Sequence, residues 1–222
     1  VKSFQWIYEH AAAHKGPVIE SLLPNCLERD ELSQIPDSTM FSAMSLRIFR
    51  AGLKHSVVDQ KWPAFEKAFW GFDPQKVALM SDEQLERLMQ NDQIIRHWGK
   101  IKATRANAYF ITEIQATHGS FANWIAQWPE DDLVGLWAHL KKHGAQLGGK
   151  SGAYFLRMVG KDAFILTDDV IAALKAQDII DKPPTSKRDL AKVQSAFNTW
   201  HEQSNGRPYC QISRLLSFCV GW

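Results

Sequence analysis

The sequence predicts an all-α protein on three observations. Capping residues stand ahead of apolar residues at helical spacing, glycines close the same segments, and no alternating Val/Ile/Thr-rich run carries hairpin chemistry. With 222 residues, 45% of them hydrophobic, the chain is long enough to bury a core of its own. One domain, 1–222, is the expectation.

The elements follow in order. Asp37 and Ser38 can cap a helix over 39–51, whose Met40, Met44, Leu46 and Phe49 fall near helical spacing before Gly52. Ser81 with Gln84 three residues later forms a capping-box pattern ahead of Leu85 and Leu88. A long helix over 100–118 ends at Gly119. The segment 131–143 carries Leu133, Leu136 and Leu140 before Gly144, and 151–159 stops at Gly160. A helix over 168–177 stands behind Thr167 as its cap, and Pro183-Pro184 mark 181–187 as the most linker-like stretch. Two further helices are expected over 188–201 and 211–220.

Composition excludes several classes. No apolar run is long enough to span a bilayer, and residues 1–14 lack the basic, apolar and small-residue order of a signal peptide, so a cytoplasmic protein without a membrane partner is expected. Cys26, Cys210 and Cys219 are odd in number and widely spaced, which suggests neither a disulfide framework nor a zinc knuckle. His10 and His14, one helical turn apart, lack two further ligands, so no metal and no cofactor is expected. A net charge of +2 is too mild to announce nucleic-acid binding, and any basic footprint must be local.

Such a footprint lies in 140–174, LKKHGAQLGGKSGAYFLRMVGKDAFILTDDVIAAL, where a basic helix end meets a glycine turn, a new helix, a loop and two aspartates. A glycine turn opening a helix presents backbone N–H groups that can hold a phosphate without reading sequence. Gly148, Gly149, Lys150 and Ser151 are therefore the phosphate-binding candidates, with Lys141 and Lys142 beside them.

This segment resembles the helix-hairpin-helix motif of DNA glycosylases. Upstream, FSAMSLRIFRAGLKHSV (41–57), KWPAFEKAFWGFDPQKVALM (61–80) and IIRHWGKIKATRANAYFI (94–111) resemble the 3-methyladenine DNA glycosylase I family in order and spacing. The resemblance implies an all-α helix-hairpin-helix DNA glycosylase fold. Its hairpin is expected over about 132–159, a central bundle over about 38–180, and a terminal lobe from 1–37 and 181–222, with the base pocket between bundle and lobe. It implies hydrolysis of the N-glycosidic bond of a flipped damaged purine, 3-methyladenine or a related alkylated base, by a monomer acting on double-stranded DNA.

By the same resemblance, Asp168 falls where the superfamily keeps its catalytic aspartate, and the adjacent Asp169 is equally placed. A carboxylate there would stabilise the positive charge that develops on the sugar. Gly52 and Leu53 match the family's wedge turn. Arg47 stands where the family's pocket glutamate is expected and His55 where its pocket tryptophan is expected. Trp6, Tyr8, Trp70 and Trp98 are candidates for stacking on a flipped base, and Arg96, His97, Lys100 and Lys102 for lining DNA. The family's zinc ligands have no equivalent set, since Asp169 falls near a zinc histidine and Ala173 near a zinc cysteine. Two alternatives stand beside this reading. One is a non-catalytic helix-hairpin-helix DNA-binding protein; the other is a bifunctional glycosylase/lyase using Lys150 as the amine that attacks the sugar.

Overall fold

The structure, a computed structural model, describes residues 1–221; Trp222, the last residue of the expected domain, lies outside them. Every regular element among the described residues is helical. In chain order the α-helices are α1 Phe4–Lys15, α2 Arg29–Ser33, α3 Asp37–Arg50, α4 His55–Ala68, α5 Pro74–Ala78, α6 Asp82–Leu88 and α7 Trp98–His118. They continue with α8 Phe121–Gln127, α9 Leu133–His143, α10 Ser151–Val159, α11 Asp168–Ala176, α12 Lys187–Gln203 and α13 Tyr209–Ser217. No helix among the described residues is long and apolar enough to cross a membrane.

The local punctuation explains these bounds. Ser81 Oγ accepts from Gln84 N at 3.1 Å while Ser81 N donates to Gln84 Oε1 at 2.8 Å, completing the reciprocal box at the start of α6. Thr167 Oγ1 accepts from Val170 N at the start of α11, and Gly119 ends α7 by donating to Gln115 O. Asp37 differs from expectation. It is the first residue of α3 rather than its cap, which is Pro36. Its carboxylate instead accepts from Phe121 N and Ala122 N, both at 2.9 Å, and so ties down the free N–H groups at the start of α8.

The chain divides into two compact units. The larger comprises Glu28–Trp128 and Trp137–Val159. Its core is an aromatic stack from α3, α4 and the turn after α4. Phe41, Phe49, Phe65, Phe69 and Phe72 are fully buried, and Trp62 stacks on Phe72 with ring centroids 5.3 Å apart and on Phe65 at 4.7 Å. The long helix α7 supplies Ile101, Ala108 and Ile111 to the same core, packing against α5 and α8. The helix α10 packs on α3, an arrangement that fixes the glycine turn ahead of it.

The smaller unit comprises Val1–Leu27, Pro129–Leu136 and the described residues from Gly160 onward. Phe164 and Phe197 stack face to face at 4.0 Å, with Trp200 edge-on to Phe197. Trp200 Nε1 donates to Lys2 O at 2.9 Å, so this buried indole keeps its hydrogen bond while closing the start of α1 onto α12. The N-terminal helix thus joins the C-terminal pair. Residues 160–180, expected in the central bundle, cluster with this unit.

Candidate functional site

The glycine turn between α9 and α10 is held from below by a buried amide. Asn107, fully buried on α7, donates Nδ2 to Ala145 O at 3.0 Å and accepts from Ala145 N at 2.7 Å. The bidentate clamp satisfies both backbone groups of one turn residue and fixes the exit of α9. Nothing in the sequence distinguished Asn107 from any other polar residue of a long helix. Its replacement by Ala is expected to leave both Ala145 groups without a partner and to cost about 2–3 kcal/mol. A urea midpoint shift of that size, with helical content kept before the transition, is the measurement; an unchanged midpoint would mean the clamp contributes nothing.

Beyond the clamp, Ser151 N donates to Gly148 O at 3.2 Å, and Tyr154 N to Lys150 O at 3.0 Å opens the helical ladder of α10. The amides of Gly152 and Ala153 lie ahead of that bond, in the position where a helix N-terminus faces an anion. Gly149 sits at φ +58°, and a Cβ built on it meets nothing within 4 Å, so the turn's outer surface is open. Gly144 and Gly152 are the close approaches, since a Cβ would stand 2.7 Å from Leu140 O at the first and 2.9 Å from Leu147 O at the second. These are the small residues that backbone packing requires, whereas a Cβ at Gly148 would meet the flexible stem of Lys141 at ordinary contact distance. Gly149 and Lys150 are exposed, as are Lys141 and Lys142 at the end of α9.

The second group sits at the end of α3 in the same unit. Gly52, at φ +77°, turns the chain out of the helix, Leu53 N donates to Arg50 O, and Leu53 is left 41% exposed on the turn. An apolar side chain projecting from a tight turn is the shape of a duplex wedge. His55 opens α4 and is exposed. Arg47 stacks its guanidinium over the Tyr154 ring of α10 at 4.6 Å, and its Nε is buried without a hydrogen-bond partner. Burial is the main influence lowering its pKa; Tyr154 opposes the shift and the charge of Arg50 adds to it.

Lys100 departs from the reading of it as a DNA-lining charge. It is 7% exposed, and its Nζ donates to Ala51 O at 2.7 Å and to Phe49 O at 3.2 Å. An ammonium on the last carbonyls of α3 satisfies them and complements the helix dipole, which is why the side chain turns inward. Burial first, then the charge of Arg47, lowers its pKa. His97 is also occupied, its Nδ1 accepting from Lys100 N as the cap of α7, while Lys102 lies over the Trp98 ring.

Asp168 and Asp169 belong to the smaller unit. Both are exposed in the first turn of α11, directly behind the Thr167 cap. Of the candidate stacking aromatics, Trp70 is 54% exposed, Trp6 stacks on His10 at 4.5 Å, and Tyr8 donates to Glu20. The zinc site implied by the resemblance does not fit these residues, because Ala173 has no ligand atom and is buried. A polar groove of about 770 Å³ lined by Lys175, Asp178, Lys182, Arg188 and Lys192 holds none of the predicted site residues.

Part of the chain is similar to known proteins. A family model described as methyladenine glycosylase matches residues 32–151, from α2 through the glycine turn. The chain is 36% identical over 86 residues to DNA-3-methyladenine glycosylase 1 of Escherichia coli (strain K12), a match covering 39% of this chain and 46% of that protein. The chain thus spans about half the length of the curated relatives it matches. Among solved structures it is similar to 3-methyladenine DNA glycosylase I from Staphylococcus aureus, with TM-score 0.51, 25% identity, and 69% and 90% of the two chains covered. The 8-oxoguanine glycosylase/lyase of Methanocaldococcus jannaschii, crystallised with DNA, shares the fold at TM-score 0.51 and 14% identity, covering 97% of this chain and 95% of its own. The fold is therefore that of the helix-hairpin-helix DNA glycosylases.

Proposed function

The chain belongs to the methyladenine glycosylase family, and from that premise we propose that it hydrolyses the N-glycosidic bond of a damaged purine flipped from double-stranded DNA. The observation that carries the proposal is the glycine turn, clamped beneath by Asn107 and open outside at Gly149, on the unit that the family model matches. A turn of this form holds a phosphate through backbone amides and leaves sequence unread. In this reading Gly148, Gly149, Lys150 and Ser151 anchor one strand, Gly52 and Leu53 form the wedge left in the stack, and Arg47 and His55 face the base.

Chemistry falls to the carboxylates. As the bond to the base breaks, the sugar takes on positive charge, and Asp168 stabilises it electrostatically while orienting water, with Asp169 the alternative one residue on. An alkylated purine is already a cationic leaving group and needs little help from a general acid. The reaction requires no cofactor, and the enzyme acts in the cytoplasm as a monomer on 3-methyladenine or a related alkylated base.

The direct test is incubation with a panel of damaged duplexes followed by mass analysis of released base. Release of a free purine, with no covalent complex trapped by borohydride, supports the hydrolytic reading. A protein that binds every duplex and releases nothing would be a binder, and a trapped complex lost on Lys150→Ala would be a lyase.

A further inference from the structure

We infer a structural metal site for a thiophilic divalent cation, zinc foremost, built from Cys26, Asp162 and Cys210 in the smaller unit. One ligand atom from each of these residues lies within 4.8 Å of the other two. Ligands around one zinc ion at bond lengths of about 2.0–2.3 Å stand roughly 3.5–4 Å apart, so small side-chain adjustments bring the three onto a common ion. Two thiolates and a carboxylate are the donor set that zinc accepts and that magnesium and calcium do not favour. These positions differ from 169 and 173, where the family resemblance looked for zinc.

The scaffold around the three ligands is built without reference to any ion. Asp162 accepts from Tyr209 N at 3.0 Å and from Cys210 N at 2.8 Å, which fixes its carboxylate against the first turn of α13. The chain beside Cys26 is held on both sides. Pro24 O accepts from Gln211 Nε2 at 3.1 Å, and Leu27 N donates to Gly160 O at 2.8 Å. That last contact requires glycine, because a Cβ at position 160 would stand 2.7 Å from the Leu27 side chain. Three segments remote in sequence are thereby pinned so that each offers one donor to the same point.

Asp162 is half-buried, and a carboxylate beside two ionisable thiols can supply the negative charge that a soft divalent cation needs. Cys210 is fully buried in the first turn of α13. On binding, the two thiols release their protons to solvent as two metal–sulfur bonds form, so no oxidant or reductant takes part. Water completes the coordination shell on the side of the half-buried Cys26. The wide spacing of the cysteines hides the site from sequence patterns, which detect ligands only when they are close together along the chain.

The test is metal analysis of the full chain purified without chelator, together with cobalt replacement. Wild type is expected to hold about one zinc per chain, and its cobalt form to show a thiolate charge-transfer band in the near ultraviolet. Cys26→Ser and Asp162→Asn should each lower zinc content about tenfold or more, since each removes one of three protein ligands and even an outer-shell partner is worth about that much in affinity. Cys219→Ser, outside the cluster, should leave the content and the band unchanged. Folded wild type with neither zinc nor the cobalt band overturns the site, as does zinc retained in both ligand variants or a Cys26–Cys210 disulfide under reducing purification. Should Cys210→Ser fail to fold, the cobalt spectrum of wild type and the Cys26→Ser content still decide.

Discussion

Asp168→Asn should bind damaged duplex as wild type does and excise its base about 10²–10³ times more slowly, the loss expected from one preorganised electrostatic group. The substitution keeps the shape of the side chain and removes only its charge. Asp168 lies exposed in the first turn of α11, behind a Thr167 cap that does not depend on it. The favourable interaction of an acid with a helix N-terminus, which the substitution removes, is worth about 0.3–1 kcal/mol. An effect on turnover of several kcal/mol with an almost unmoved melting temperature is therefore the signature of chemistry. Single-turnover excision, measured beside binding by anisotropy, separates the two. Near-normal excision would remove Asp168 from the mechanism; if Asp169→Asn alone were inactive, the role would move by one residue and the electrostatic argument would stand.

The sequence disclosed what is local and concealed what is not. Caps and stops depend on residues within one turn of each other, so the Ser81–Gln84 box, the Thr167 cap, and the ends at Gly119 and Gly160 were all legible. Asp37 shows the limit. A carboxylate next to a serine ahead of an apolar run reads as a cap for its own helix, yet its partners are Gln115 on α7 and the first amides of α8, about 80 residues away. Lys100 shows the same limit for charge. A lysine near the start of a basic helix reads as solvated, but α3 ends with unpaired carbonyls beside it, and their demand draws the ammonium inward. Asn107 and the Cys26–Asp162–Cys210 group are wholly tertiary, since each acquires meaning only from the segment the fold sets against it. The candidate site was legible where it is a continuous motif, in the glycine turn and the turn at Gly52. Its supports were not, because a support is chosen by geometry rather than by spacing.

The hairpin offers the second large effect. Gly149→Asp should weaken binding to damaged and undamaged duplexes alike, by about 10-fold to 10²-fold at low salt, because a carboxylate would repel the phosphate in the proposed anchor. The structure shows why this variant should still fold. Gly149 is at φ +58°, a conformation that Asp and Asn tolerate better than other side chains, and a Cβ there meets nothing within 4 Å. The strain costs about 1 kcal/mol, well short of unfolding a domain of this size. Gly149→Asn carries the same strain without the charge and is the matched control, expected to lose far less. The difference between the two should shrink as salt rises, since screening acts on the charge and not on the backbone. It should also be equal across DNA sequences, as the proposed contact with phosphates rather than bases requires. Anisotropy on both duplexes at two salt concentrations measures all of this, and equal losses for Asp and Asn would assign the effect to backbone strain and leave the turn without a phosphate.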